Sequence, residues 1–219
     1  MRNTPSITTT TLGIAIGSAL AANLLTGCGN AGHASGARTS PKPTVHVLID
    51  RSHSTDAARN RQLATAKTIH LKLASTADIH LWAYDSTAVE VVAAGSALTS
   101  KQLVVALGGE ISPKSAAVRT ITRPGAALTA ICDKAKSGEA VQVILITDGD
   151  IDDAADRPVL KTAAENLISA APGSRISVIG IDPNNRKVWE DILTPAAADA
   201  TTLATWAEAN NAITRVTKS

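Results

Sequence analysis

Nearly continuous apolar runs alternate along this chain with stretches in which apolar residues recur every three or four positions. The two strongest runs are Val45-His46-Val47-Leu48-Ile49 and Val141-Gln142-Val143-Ile144-Leu145-Ile146. Each stops at polar residues, Asp50 in the first case and Thr147-Asp148-Gly149 in the second. Short β-branched runs bounded in this way predict strands buried on both faces, as parallel strands in α/β proteins are. Arg175 to Ile181 predicts another apolar strand. Asp78 to Asp85 predicts one more, with Val89 to Ala93 returning across a hairpin after Ser86-Thr87. Within Asp56 to Ala74, Leu63, Ala66, Ile69 and Leu73 recur at helical spacing, while Arg59, Arg61, Lys67 and Lys72 lie elsewhere on the surface. Ser54, Thr55 and Asp56 each suit the cap of that helix. Ser100 to Leu107, the segment opened by Pro124, Pro158 to Ala170, Val188 to Leu193 and Leu203 to Val216 also read as helices. Pro124 suits a first turn because its missing N–H is not needed there. Strands alternating with helices predict a mostly parallel sheet with helices on both faces.

In such sheets ligands collect beyond the carboxyl ends of the strands. Asp50-Arg51-Ser52-His53-Ser54 sets one carboxylate and two hydroxyls on a short turn at that place. An all-oxygen set of this kind suits a hard cation such as Mg2+. Asp-x-Ser-x-Ser at the end of a first strand resembles the opening of the metal ion-dependent adhesion site of von Willebrand factor A domains. The stretch Thr120-Ile121-Thr122-Arg123-Pro124-Gly125-Ala126-Ala127-Leu128 resembles the loop and helix start that carry the family's next ligand. By that likeness the ligand is Thr122, with Thr120 as the alternative. Thr147-Asp148-Gly149 resembles the third loop of the site and assigns Asp148 to it.

The resemblance covers Thr44 to about Thr217, with its three loops in the family's order. It implies an α/β, Rossmann-like, doubly wound fold: a mostly parallel central sheet with one antiparallel edge strand and helices on both faces. It implies that Ser52, Ser54 and Thr122 hold the ion directly and that Asp50 and Asp148 act mainly through waters. The ion is expected to be Mg2+, or Mn2+ or Ca2+, with one position open to an acidic side chain of a protein partner. The family usually has one more strand between the last two helices. Asp199-Ala200-Thr201-Thr202 fits a strand poorly, so a reduced or irregular edge is expected there.

The first residues carry a different signal. Arg2 precedes an apolar stretch from Leu12 to Leu25, shorter than the roughly 20 residues a membrane-spanning helix needs. A short apolar run before small residues reads as an export signal. Leu25-Thr26-Gly27-Cys28 resembles the lipobox of bacterial lipoproteins. That likeness implies removal of residues 1–27 as a signal peptide and lipidation of Cys28 with acyl chains such as palmitate. It places the protein on the extracytoplasmic face of a cell membrane. Residues 28–43, rich in Gly, Ala, Ser and Thr, read as a flexible tether, and residues 44–219 as the domain. With Cys28 lipidated, Cys132 has no partner and reads as a packed thiol.

Composition narrows the function classes. Lys and Arg number 21 against 19 Asp and Glu, a formal net charge of +2 that makes no case for nucleic acid. With no Phe, one Tyr and three Trp, the core must be aliphatic, and no aromatic surface for stacking bases is expected. The scattered histidines show no zinc spacing, and His53 reads as a spacer or rim residue of the metal loop. Asp150, Asp152, Asp153 and Asp156 read as a solvated loop and helix start, or as a second cation site. The expected function is a membrane-anchored, non-enzymatic binding module of the cell envelope. Two rivals stand beside it. One is a Mg-dependent hydrolase or phosphatase using Asp50 and Asp148. The other is a metal-free interaction scaffold on the same fold.

Overall fold

Strand β1, Thr44–Asp50, lies inside a six-stranded sheet and is parallel to both of its neighbours. These are β2, Asp78–Tyr84, and β4, Val141–Ile146. Strand β3, Ala88–Val92, pairs antiparallel with β2 at one edge, while β5, Arg175–Ile179, and β6, Thr201–Ala204, extend the other side in parallel. The order is β3-β2-β1-β4-β5-β6. The sheet therefore changes its direction of growth between β1 and β4, the switch point where α/β folds place ligands. The computed structural model describes residues 42–96, 99, 101–102, 121–135 and 138–218, all within the compact unit Ser40–Ser219. Residues 1–27, Cys28 and the tether, Thr120, and all of the expected Ser100–Leu107 helix but Lys101 and Gln102 lie outside the described residues.

Alternation along the strands divides the core. Val45, Val47 and Ile49 of β1 join Ile79, Leu81, Ile144 and Ile146 on one face. That face is covered by α1, Arg59–Leu73, and α5, Ala209–Val216, through Ala66, Ile69, Ala212 and Ile213. The opposite face carries Leu48, Trp82, Tyr84, Val143, Leu145 and Val178. It is covered by α2, Pro124–Lys134, α3, Asp156–Ala170, and α4, Arg186–Ala197, through Leu128, Ile131, Leu160, Leu167, Trp189 and Leu193. The fold is thus the expected doubly wound α/β arrangement with one antiparallel edge. Cys132 is partly buried, its thiol donating to the Ala163 carbonyl at 3.4 Å, and burial with the adjacent Asp133 pushes it up from its ordinary value. Among the described residues no helix is long and apolar enough to cross a membrane.

Two local expectations are corrected. The chain after Asp50 enters a 3-10 turn, His53–Ala58, before α1 begins at Arg59, and no side chain caps either start. Thr55 turns its hydroxyl back to the Asp50 and Ser52 carbonyls instead, at 3.2 and 2.9 Å. The expected Leu203–Val216 helix is split. Thr201–Ala204 is strand β6, and the helix starts only at Ala209. Backbone pairing with Ile176 to Ile179 makes β6 a regular edge strand, and two β-branched threonines suit it.

The same alternation aligns His46 with His80, their rings stacked at 4.7 Å. Trp82 Nε1 donates to His46 Nδ1 at 3.2 Å. His80 Nδ1 sits 2.5 Å from Glu90, which also takes the Lys134 ammonium. Burial, reinforced by His80, pushes His46 from 6.5 down to about 4. The unfolded chain therefore takes up a proton that the folded chain refuses across that interval, and stability falls as pH drops through it. The expected loss at pH 5 is roughly 2 kcal/mol. Urea unfolding at pH 7.5 and 5.0 should show His46→Gln losing less stability than the parent by about that amount. Equal losses would remove His46 as the cause.

Candidate metal centre

The Asp50 turn is built from its own side chains. Asp50 Oδ1 accepts the Ser52 N–H at 2.8 Å, the local bond that makes Asp a turn former. Its Oδ2 accepts the Thr147 hydroxyl at 2.7 Å, tying the ends of β1 and β4 together. Arg59, from the first turn of α1, reaches back to the Asp50 and Ser52 carbonyls at 3.0 and 3.4 Å and to Asp56 at 3.0 Å. These contacts hold the loop so that the Ser52 and Ser54 hydroxyls stand 3.1 Å apart. Ser52 is buried and Ser54 exposed, so the pair runs from the interior to solvent. His53 lies on the rim, 80 % exposed in its side chain and paired with Asp56 at 2.8 Å.

Asp148 follows β4. Its Oδ1 accepts the Asp150 N–H at 3.2 Å, and its carbonyl accepts from Asp182 N–H at 2.7 Å. The chain turns away at once through Gly149, whose φ of +89° is one that side-chain-bearing residues rarely adopt. The Gly149 carbonyl accepts Trp189 Nε1 at 2.8 Å and its N–H donates to Thr147 at 3.0 Å, fixing the loop from both sides.

Thr122 leads into α2 with no exposed surface. Its N–H donates to Asp152 at 2.9 Å, but its hydroxyl has no hydrogen-bond partner among the described residues. A buried hydroxyl left in that state costs about 1–3 kcal/mol, which a cation ligated at the oxygen relieves. The acidic segment after Asp148, expected as a solvated loop and helix start or as a second cation site, keeps Asp152 exposed and Asp156 in the first turn of α3, and it also braces this loop. Asp153 pairs with Arg123 at 2.9 Å. Asp156, buried, accepts Gly125 N–H at 2.6 Å and Ala126 N–H at 3.0 Å and so caps α2 from the start of α3. Asp150 accepts from Asn185 at 2.8 Å. Gly125 permits the approach, since a Cβ there would lie 2.5 Å from Leu160 N.

The electrostatics suit a cation. Burial pushes Asp50 up to about 7, against hydrogen bonds from Thr147 and Ser52, and Asp148 adds to the rise. Burial also raises Asp148, partly countered by hydrogen bonds from the Asp150 N–H and the Ser54 hydroxyl. Among the described residues no group of three or more His, Cys, Asp or Glu converges, so any ion here rests on hydroxyls as much as carboxylates. The donor set is all oxygen and fits a hard divalent cation. The structure thus gathers Asp50, Ser52 and Ser54 on one loop, sets Asp148 beside them and brings Thr122 to the same carboxyl end of the sheet. Arg59, Thr147 and Tyr84 belong to this neighbourhood too, and their places depend on folding rather than on local pattern. A cleft of about 410 Å³ lies elsewhere, among Pro43, Thr44, Val141 and Arg175 at the amino ends of the strands.

No family model matches the chain, and no curated protein matches it by sequence. Its fold is similar to solved structures. Proximal thread matrix protein 1 from the mussel byssus, with a zinc-occupied MIDAS motif, aligns over 81% of this chain and 47% of its own, at 16% identity and TM-score 0.55. A von Willebrand factor type A protein from Catenulispora acidiphila aligns over 82% of this chain and 42% of its own, at 20% identity and TM-score 0.54. Manganese-loaded TRAP protein from Plasmodium vivax aligns over 78% of this chain and 72% of its own, at 19% identity and TM-score 0.54. This chain spans about half the length of the mussel protein. The fold is that of von Willebrand factor A domains.

Proposed function

We propose that this protein is a membrane-anchored binding module of the extracytoplasmic cell surface, and that its metal site engages an acidic group on a protein partner. The observation that carries this reading is the buried, unpartnered Thr122 hydroxyl at the same carboxyl end of the sheet as the Ser52–Ser54 hydroxyl pair and the Asp50 and Asp148 carboxylates. Ser52, Ser54 and Thr122 would hold the ion, while Asp50 and Asp148 would neutralise it through waters. Mg2+ is the favoured ion, because it keeps several waters and needs few carboxylates; Mn2+ or Ca2+ would use the same oxygens. When bound, the ion supplies one open position for a partner carboxylate. The exposed rim of Ser54, His53 and Asp56 would add contacts to that bond. The fold's likeness to proteins with a zinc-occupied MIDAS motif or loaded with manganese supports the same reading.

The hydrolase alternative asks Asp50 to act as a nucleophile open to substrate. Asp50 has no exposed surface and spends both oxygens on hydrogen bonds, which suits orientation better than attack. The anchor rests on Leu25-Thr26-Gly27-Cys28; loss of acyl labelling and membrane retention in Cys28→Ser would test it. Calorimetric titration of Mg2+ and Mn2+ tests the site. Saturable binding that EDTA reverses, with an unchanged far-UV spectrum, is expected. No binding to either ion would sink the metal-dependent mechanism and leave the scaffold reading.

A further inference from the structure

We infer that Tyr84 is a further, positioning member of this site, its phenolic O–H donating a hydrogen bond into the shell of carboxylate and water around an ion held by Asp50, Ser52, Ser54, Thr122 and Asp148. The inference rests on the metal-site reading proposed above.

Strand register makes the first argument. Tyr84 is the direct partner of Asp50 across β2 and β1, and β4 runs alongside with Thr147 one step beyond the Ile49–Ile146 pair. Alternation turns Tyr84 toward the α2-covered face with Leu48 and Trp82. Backbone bonds tie the same spot to two metal loops. The Tyr84 carbonyl accepts Arg51 N–H at 2.7 Å, and the Asp85 carbonyl accepts Arg123 N–H at 3.0 Å. Tyr84 thus stands between the segment that bears Ser52 and the segment that bears Thr122.

The second argument is the phenol itself. Tyr84 has no exposed surface, yet its oxygen makes no hydrogen bond of ordinary geometry among the described residues; only the Thr147 side chain stands close enough to act on it. Buried tyrosines ordinarily find a hydrogen-bond partner. Asp50 takes Ser52 N–H and the Thr147 hydroxyl, and Thr147 takes Gly149 N–H, so a bond from the phenol would join a network that already links β1 to β4. Tyr84 and Thr122 are therefore two buried hydroxyls without an ordinary hydrogen bond at the carboxyl ends of the strands. A protonated phenol is a donor rather than a ligand for a cation. It serves the water and carboxylate around the ion, whereas the Thr122 oxygen serves the ion.

Tyr84→Phe in the full chain separates this role from packing, because it removes only the hydroxyl. Mg2+ and Mn2+ affinity measured by calorimetry should fall about tenfold. Thermal melting in EDTA should not fall, because the ion-free protein loses an unpartnered polar group. Equal affinity in the variant and parent would overturn the inference while leaving the metal site intact. Equal affinity together with a lowered melting temperature in EDTA would assign the phenol to Thr147 as a structural bond. No ion binding by the parent would be the distinct failure of the metal-site reading, and would overturn this inference with it.

Discussion

Asp50→Asn should weaken Mg2+ and Mn2+ binding by about a hundredfold or more, and should leave the ion-free protein at least as stable at pH 7. The two effects have one source. Asp50 is wholly buried, and its carboxyl is pushed from 3.8 up to about 7 chiefly by that burial. The folded chain holds this proton across an interval in which the unfolded chain has released it. Stability from this group is therefore lost as pH rises from about 4 to 7, on the order of 4 kcal/mol in the ion-free protein. Asparagine keeps the shape and an acceptor for Ser52 N–H while removing the charge. Part of that loss should return, about 1–2 kcal/mol once the new amide has found a partner. Ion binding depends on the charge and should not survive. Melting in EDTA beside calorimetry checks both halves: a variant that melts well below the parent yet still binds ions would refute the argument. Between pH 4 and 6.5 the Asp50 and His46 contributions run in opposite directions. The pH profile of the parent alone conceals both, and the paired variants resolve them.

Gly125→Ala should destabilise the protein by about 3 kcal/mol or more, lowering its melting temperature by roughly 6–12 °C for a domain of this size. The added Cβ would lie 2.5 Å from Leu160 N, 2.7 Å from the Asp156 carbonyl oxygen and 2.9 Å from its carboxylate. The first two are backbone atoms of α3, and no rotamer moves them aside. The helices must separate, and the Asp156 bonds to Gly125 and Ala126 N–H must lengthen. Thr122 lies three residues upstream on the same brace, so ion affinity should fall with stability. A Gly125→Ala protein as stable as the parent would show that α2 and α3 can part at little cost.

Much of the fold was legible because its central strands are buried on both sides. Continuous β-branched composition reports that condition directly, which is why Val45 to Ile49 and Val141 to Ile146 stand out. Strand β6 was not, because a four-residue edge strand needs no apolar run: Thr201, Thr202 and Leu203 are all half-exposed. The Asp50 loop was legible because its chemistry is local, with Asp50, Ser52 and Ser54 within five residues. Arg59, Tyr84 and Asp156 were not. Arg59 looks like any surface cation until α1 points it at the loop carbonyls. Asp156 looks like a helix-start charge until α3 packs it under a helix that begins 32 residues earlier, at Pro124. In each case the residue type is visible in sequence, but its partner comes from another element.

The hydrogen bond between Thr147 and Asp50 spans 97 residues of chain. During synthesis from the N-terminus β1 can pair with β2 early, but its other side stays bare until β4 has been made. Long-range parallel pairing of this kind forms slowly and exposes apolar edges while it waits. The Asp50 carboxylate is thus locked only when the two halves of the sheet meet. On the metal-site reading, competence to bind an ion would come only after β4 has joined β1, and a copy truncated before Val141 would lack it.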